Sequence, residues 1–215
     1  HETLVEPGDH VISVRPTYQQ HYSIPESYGA DVDILQLRPE NGFLPNLAEL
    51  KAMVRPETKL IVLNNPNNPT GALMEAEALD AFVAIARSCD AFVLCDEVYR
   101  GTNQIGDGFA PAMADVYEKG ISVAGMSKTF SLAGLRLGWI AAPLDVLEAV
   151  SIHRDYNTIS VGMLDDYFAA MALETKDKIL ARSQQITRGN LAILDAWVAD
   201  EPSMSYVKPK AGTTA

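Results

Sequence analysis

Three places in the chain set a chemically capable side chain directly after a short apolar run. Lys59–Leu63 is followed by Asn64-Asn65-Pro66-Asn67-Asn68-Pro69-Thr70-Gly71. Ala91–Cys95 is followed by Asp96-Glu97-Val98-Tyr99-Arg100. Ile121–Ala124 is followed by Gly125-Met126-Ser127-Lys128-Thr129. In the first segment two prolines fix the backbone and push the preceding asparagines out of the helical region. A plain surface turn explains such a composition, and side-chain amides on a rigid turn also suit a planar polar ligand. In the second, a strand ending in Asp-Glu reads as a helix-capping Asp, as the metal-holding carboxylate of a nucleotide hydrolase, or as a buried carboxylate aimed at a cationic heterocycle. The hydrolase needs a GxxxxGK loop closed by Ser or Thr. Gly101, Gly106 and Gly108 lack the lysine, and Ser127-Lys128-Thr129 lacks the preceding glycines. In the third, a lysine among small and apolar residues would lose hydration, which favours the neutral, nucleophilic amine. A surface lysine with its stem packed down is the plain alternative.

The elements that position these residues alternate between strand and helix. Strands are expected at His10–Val14, Asp33–Leu37, Lys59–Leu63, Ala91–Cys95, Ile121–Ala124 and Leu137–Ala141. Several are continuous Val/Ile/Leu/Phe runs, as a sheet buried on both faces requires. Helices are expected at Asn46–Val54, with Asn46 as its cap, and at Glu75–Ser88, with Leu79, Phe82, Val83 and Ala86 on one face. After Pro143, Leu144–His153 and Met163–Ala199 read as helical, the latter broken near Glu174–Asp177 or spanning as one long helix. Met163, Leu164 and Met171 read as helix core. This rhythm predicts an α/β protein, a three-layer α/β/α arrangement with a mainly parallel sheet. From Glu201 onward the chain reads as a link. It does not begin with Met and stops at Ala215 without a closing element, so a piece of a longer protein is expected.

Composition narrows the function classes. The chain has 215 residues, 47% hydrophobic and 21% charged, an ordinary globular balance. Lys plus Arg is 17 against 28 Asp plus Glu, a net charge of -11, which disfavours nucleic-acid binding. Neither a signal peptide nor an apolar run of membrane-spanning length is seen, so no membrane partner is expected. Two cysteines, Cys89 and Cys95, form no disulfide framework and fit a reducing, cytoplasmic compartment; Cys95 reads as core. His1, His10, His21 and His153 show no metal-ligand spacing, so no metal site is expected. His21, three residues past Tyr18, could face a pocket, although an ordinary polar role is the preferred reading. Arg100 is either pocket-facing or part of a surface ion pair.

In open α/β sheets ligands collect at the carboxyl ends of strands. Three consecutive strand–helix units would bring Asn68, Asp96 and Lys128 to one rim. An amide, a carboxylate and a lysine are the set that pyridoxal 5'-phosphate requires. The lysine forms a Schiff base, the carboxylate keeps the ring nitrogen protonated, an amide and a phenol hold the ring hydroxyl oxygen, and an arginine such as Arg136 takes the phosphate.

With Asn-Asn-Pro-Thr-Gly at 67–71, Asp-Glu-Val-Tyr at 96–99, and Ser-Lys-Thr-Phe with Gly-Leu-Arg-Leu-Gly across 127–138, the chain resembles the class I/II aminotransferases of the fold-type-I pyridoxal-phosphate enzymes over nearly its whole length. The resemblance implies that Lys128 is the Schiff-base lysine and proton shuttle, and Asp96 the partner of the ring nitrogen. It makes Asn68 and Tyr99 the donors to the ring oxygen, Arg136 the phosphate arginine, and Tyr18 the aromatic stacked on the ring. Many members carry Ser or Thr three residues before the lysine. Here that position is Gly125, and Ser127 is the substitute. The family's Gly-rich phosphate turn and its substrate-carboxylate arginine are expected outside residues 1–215. The resemblance implies a cofactor-binding large domain over 1–195, the start of a small domain over 196–215, and a homodimer. Its substrates would be an amino acid and a 2-oxo acid. A fainter resemblance to capreomycidine synthase-like members implies elimination or cyclisation as an alternative. Aminotransferase-like sensor domains of transcription regulators are a third.

Overall fold

Branched and apolar side chains fill the short runs between helical stretches, and those runs are the strands. The computed structural model describes residues 1–106 and 109–215; Asp107 and Gly108 lie outside the described residues. The strands are β1 (His10–Arg15), β2 (Asp31–Gln36), β3 (Thr58–Asn64), β4 (Phe92–Asp96), β5 (Gly120–Gly125) and β6 (Gly138–Ala141). Among the described residues they form one sheet in the order β2-β1-β3-β4-β5-β6. Every pairing is parallel except β5 with β6. The interior strands are buried along nearly their full length, and β6, at one edge, is exposed throughout. That contrast is why the interior strands read as continuous apolar runs.

The helices are α1 (Gln20–Ser27), α2 (Leu47–Met53), α3 (Ala76–Ser88), α4 (Met113–Val116), α5 (Leu144–Asn157), α6 (Met163–Glu174) and α7 (Lys176–Asp200). One sheet face packs Ile12, Val14, Ile61, Leu63, Val93 and Cys95 against Leu50 of α2 and Leu79, Phe82, Val83 and Ala86 of α3. The other packs Val11, Leu60, Val62, Leu94 and Ile121 against Val5 and Val146 of α5. Neighbouring strand residues thus go to opposite faces, as a pleated strand requires. The result is the three-layer α/β/α arrangement with a mainly parallel sheet. Each large side chain so buried contributes about 1.5–3 kcal/mol.

Asn46 caps α2: its Oδ1 accepts from Ala48 N at 3.0 Å and Glu49 N at 3.2 Å, about 1 kcal/mol of helix stability. The long C-terminal helical stretch breaks at Thr175, inside the expected window. Two expectations change. α1 and α4 had no sequence forecast, because α1 contains Pro25 and little apolar periodicity while α4 is a single turn. Met163, Leu164 and Met171 are exposed, Met163 by 83%, and do not form helix core. α6 buries only its small residues Ala169 and Ala172, against Met126 and the turn that follows β5.

Candidate active site

Chain order reverses direction across the sheet between β1 and β3, and ligands favour the carboxyl edge at such a switch. Tyr18 follows β1, Asn68 follows β3, Asp96 ends β4 and Lys128 follows β5. These four strands are adjacent in the sheet, so all four residues reach the same rim. They line one cavity of about 350 Å³ together with Tyr99, Ser127 and Arg136, a volume within the usual range for small-molecule sites. Every expected site residue borders this cavity.

Asp96 is held at both oxygens. Oδ1 accepts from Val98 N at 3.1 Å, and Oδ2 lies 3.1 Å from Nε2 of His21. A carboxylate only accepts, so Nε2 carries the hydrogen, and in a neutral ring Nδ1 accepts from the Thr17 hydroxyl 3.0 Å away. His21 is buried and sits edge-on to Tyr18, with ring centroids 5.7 Å apart. The expectation of an ordinary role for His21 therefore gives way to direct contact with Asp96. The signal was its spacing: His21 lies one turn past Tyr18, and its main-chain N–H donates to Tyr18 O at 3.0 Å.

The asparagines divide by function. Asn64 Nδ2 donates to Asp96 O at 2.8 Å, and its Oδ1 accepts from Asn68 N at 2.6 Å. Asn65 pairs with both main-chain groups of Met74, at 3.1 and 2.8 Å. Asn67 donates to Pro16 O and to Thr70 Oγ1. These three build the turn. Asn68 alone keeps a side chain without a hydrogen-bond partner among the described residues, and it borders the cavity. Gly71, at φ +65, closes the turn. A Cβ there would lie 2.3 Å from Pro209 Cβ and 2.6 Å from Ala211 O, so only glycine fits. Its carbonyl accepts from Lys210 N and Ala211 N, which docks the C-terminal segment onto the turn.

Lys128 is exposed, against the expectation of a desolvated amine. It stands on the loop after β5 and borders both the Asp96 cavity and a second one of about 460 Å³ against α7, lined by Ser183, Thr187 and Asn190. With space on both sides, nothing in the described chain covers it. Arg136, at φ +49, is also exposed, and its Nη1 donates to Ala133 O at 2.9 Å. Tyr99 is buried, with a hydroxyl that makes no hydrogen bond among the described residues. Glu97 turns away from the cavity. Its Oε1 accepts from Met113 N and the Ser122 hydroxyl, both at 2.7 Å, and burial pushes its carboxyl above the ordinary range. Arg100 stays outside the cavity. It donates to Ala110 O, sits 3.9 Å from Glu97 and lies over the Phe109 ring. Cys95 is core, and burial raises its thiol well above the usual value. Among the described residues, no group of three His, Cys, Asp or Glu could hold a metal, and no helix is long and apolar enough to cross a membrane.

Residues 2–211 match the family described as aminotransferase class I and II. Among curated relatives, the chain is 30% identical to capreomycidine synthase of Streptomyces vinaceus over 208 residues, 96% of this chain and 53% of that protein. It is 29% identical to aspartate/prephenate aminotransferase of Thermus thermophilus over 176 residues, 82% of this chain and 46% of that one. Among solved structures, a PLP-dependent aminotransferase from Streptococcus suis is 48% identical with a TM-score of 0.92, covering 97% of this chain and 55% of that chain. Thermus thermophilus aspartate aminotransferase with maleate is 26% identical with a TM-score of 0.91, covering 98% and 56%. The chain spans about half the length of the curated relatives it matches.

Proposed function

The chain belongs to the class I and II aminotransferases, and from that premise we propose that it binds pyridoxal 5'-phosphate at the Asp96 cavity and moves an amino group between an amino acid and a 2-oxo acid. One observation carries this reading: a carboxylate, a free amide, a free phenol, a hydroxyl, two cationic side chains and an aromatic ring border a single cavity at the carboxyl edge of the sheet. This donor set fits the group. An acid answers a ring nitrogen, neutral donors answer a ring oxygen, cations answer a phosphate, and an amine answers an aldehyde. When bound, pyridoxal phosphate supplies an electron-withdrawing ring for the substrate's α-carbon.

The chain's own residues then take these roles. Lys128 would hold the cofactor through Nζ, and the same nitrogen would carry the proton from the substrate's α-carbon to the cofactor's C4′. Asp96 keeps a proton on the ring nitrogen, and His21 and Val98 N orient its two oxygens. Asn68 and Tyr99 would donate to the ring oxygen, Tyr18 would cover the ring, and Arg136 with Ser127 would take the phosphate. We further propose a cofactor-binding domain over 1–195 and the start of a smaller one over 196–215, joined by α7, which runs through that border. Exposed apolar residues of α5 and α6, among them Ile152, Tyr156, Leu164 and Phe168, support a homodimer. The two free cysteines fit a cytoplasmic protein. A second reading, elimination or cyclisation with the same cofactor, is favoured by the similarity to capreomycidine synthase across 96% of the chain.

Absorption spectra of the full-length chain with the cofactor, taken across a panel of amino acids, test both readings. Conversion of the lysine-bound band to the amine form of the cofactor supports transfer. Ammonia release or a cyclised product supports the second reading. Absence of a lysine-bound band removes both.

A further inference from the structure

Asp96 and Tyr99 stand on the segment leaving β4, and Lys128 stands on the one leaving β5. Residues 96–100 and 126–132 must keep a fixed offset for an amine on one to serve a ring held by the other. Thr129 directly follows Lys128 and points the opposite way, being 2% exposed where Lys128 is exposed. Its Oγ1 lies 2.9 Å from Val98 O and 2.9 Å from Arg100 O, and its N lies 3.4 Å from Val98 O. A hydroxyl has one hydrogen, so Thr129 donates to one carbonyl at a time with the other in reach. These two carbonyls flank Tyr99. Among the described residues, every hydrogen bond between 96–100 and 126–132 runs through Thr129.

Glu97 N donates to Val123 O at 2.8 Å and the Ser122 hydroxyl to Glu97 Oε1, which ties the segment after β4 to β5 itself; beyond Gly125 the remaining contacts hold each segment separately. Met126 is buried against Ala169 and Ala172, Met126 N donates to Leu137 O, and Ser131 N donates to Lys128 O. On the other side, Arg100 N donates to Glu97 O, and Thr102 N and Oγ1 both donate to Tyr99 O. None of these sets one segment against the other.

We infer that Thr129 is a positioning residue whose hydroxyl ties the Lys128 loop to the segment bearing Asp96 and Tyr99, and so fixes where Nζ of Lys128 stands. This rests on the proposed function. Valine matches threonine in shape, so packing and the long main-chain contact from residue 129 to Val98 O survive Thr129→Val while the hydroxyl tie does not. Serine keeps the hydroxyl and loses a methyl group.

The test uses the full-length parent, Thr129→Val and Thr129→Ser. Each is loaded with pyridoxal phosphate, reduced with borohydride and mapped by mass spectrometry for label on Lys128. The pH midpoint of the lysine-bound band, kcat and KM are measured alongside. The valine variant is expected to move the midpoint, label Lys128 less completely and lose roughly 10- to 100-fold in kcat, the scale of a misplaced reacting group, with KM near the parent's. The serine variant is expected to return all of these toward the parent. A valine variant equal to the parent overturns the inference, as does a serine variant impaired as much as valine. Thr129→Cys, of similar size and a weak donor, replaces valine under the same criteria if valine does not fold. A parent without label on Lys128 overturns the functional reading and this inference together; a labelled parent with an unchanged valine variant overturns the inference alone.

Discussion

Replacing Asn65 or Asn68 with alanine separates the amides that build the 64–71 turn from the one that faces the cavity. Asn65 Nδ2 donates to Met74 O at 3.1 Å and its Oδ1 accepts from Met74 N at 2.8 Å, with both residues buried. Alanine at 65 strands a donor and an acceptor where water does not replace them. Each stranded group costs about 1–3 kcal/mol, so the loss is about 2–6 kcal/mol, a large part of the roughly 5–15 kcal/mol a folded domain has in total. Asn68 makes no side-chain hydrogen bond among the described residues, and its main-chain N–H to Asn64 Oδ1 survives truncation. Asn68→Ala should therefore shift stability by no more than about 0.5 kcal/mol. Urea unfolding of the cofactor-free full-length chain, followed by circular dichroism, reads both from the midpoint at constant slope. Equal midpoint shifts for the two variants, or an unshifted Asn65→Ala, would refute the division.

Other outcomes follow from the same geometry. Asp96→Ala should slow the amino-transfer half-reaction by about 10²–10³-fold, the scale of one lost electrostatic partner in a preorganised site; stopped-flow traces close to the parent's would contradict the role of Asp96. Burial raises the folded-state pKa of Glu97, so between the ordinary glutamate value and that raised value the unfolded chain binds fewer protons, and stability falls as pH rises. Glu97→Gln should flatten this slope in urea midpoints taken from acid to neutral pH. Phe82, fully enclosed between α3 and the sheet, should cost about 3–5 kcal/mol on truncation to alanine, measured by the same unfolding assay.

Much of this fold is legible because both faces of the sheet are covered. Leu60-Ile61-Val62-Leu63 and Val93-Leu94-Cys95 must be apolar on successive residues, and few other elements write such runs. Strand order then places Asn68, Asp96 and Lys128 together without knowledge of any side-chain contact. The partners of the polar groups were not legible, because they come from far along the chain. His21 and Asp96 are 75 positions apart and Asn64 and Asp96 are 32 apart, and nothing local marks one amide as a main-chain brace and its neighbour as free. α1 was hidden by Pro25. The reading of α6 as core failed because apolar composition states that a face wants cover, and Met163 and Leu164 find none among the described residues.

The hydrogen bonds from Lys210 and Ala211 to Gly71 set a timetable for synthesis. A nascent chain emerging from the ribosome can pair β1 to β6 while the Gly71 carbonyl still waits for Lys210 and Ala211, made well after the last of these strands. Contacts of such separation form slowly. Competence to capture a ligand at Asn68 should therefore trail sheet formation, with the floor of the site laid early and its brim finished only after Ala211 has left the tunnel.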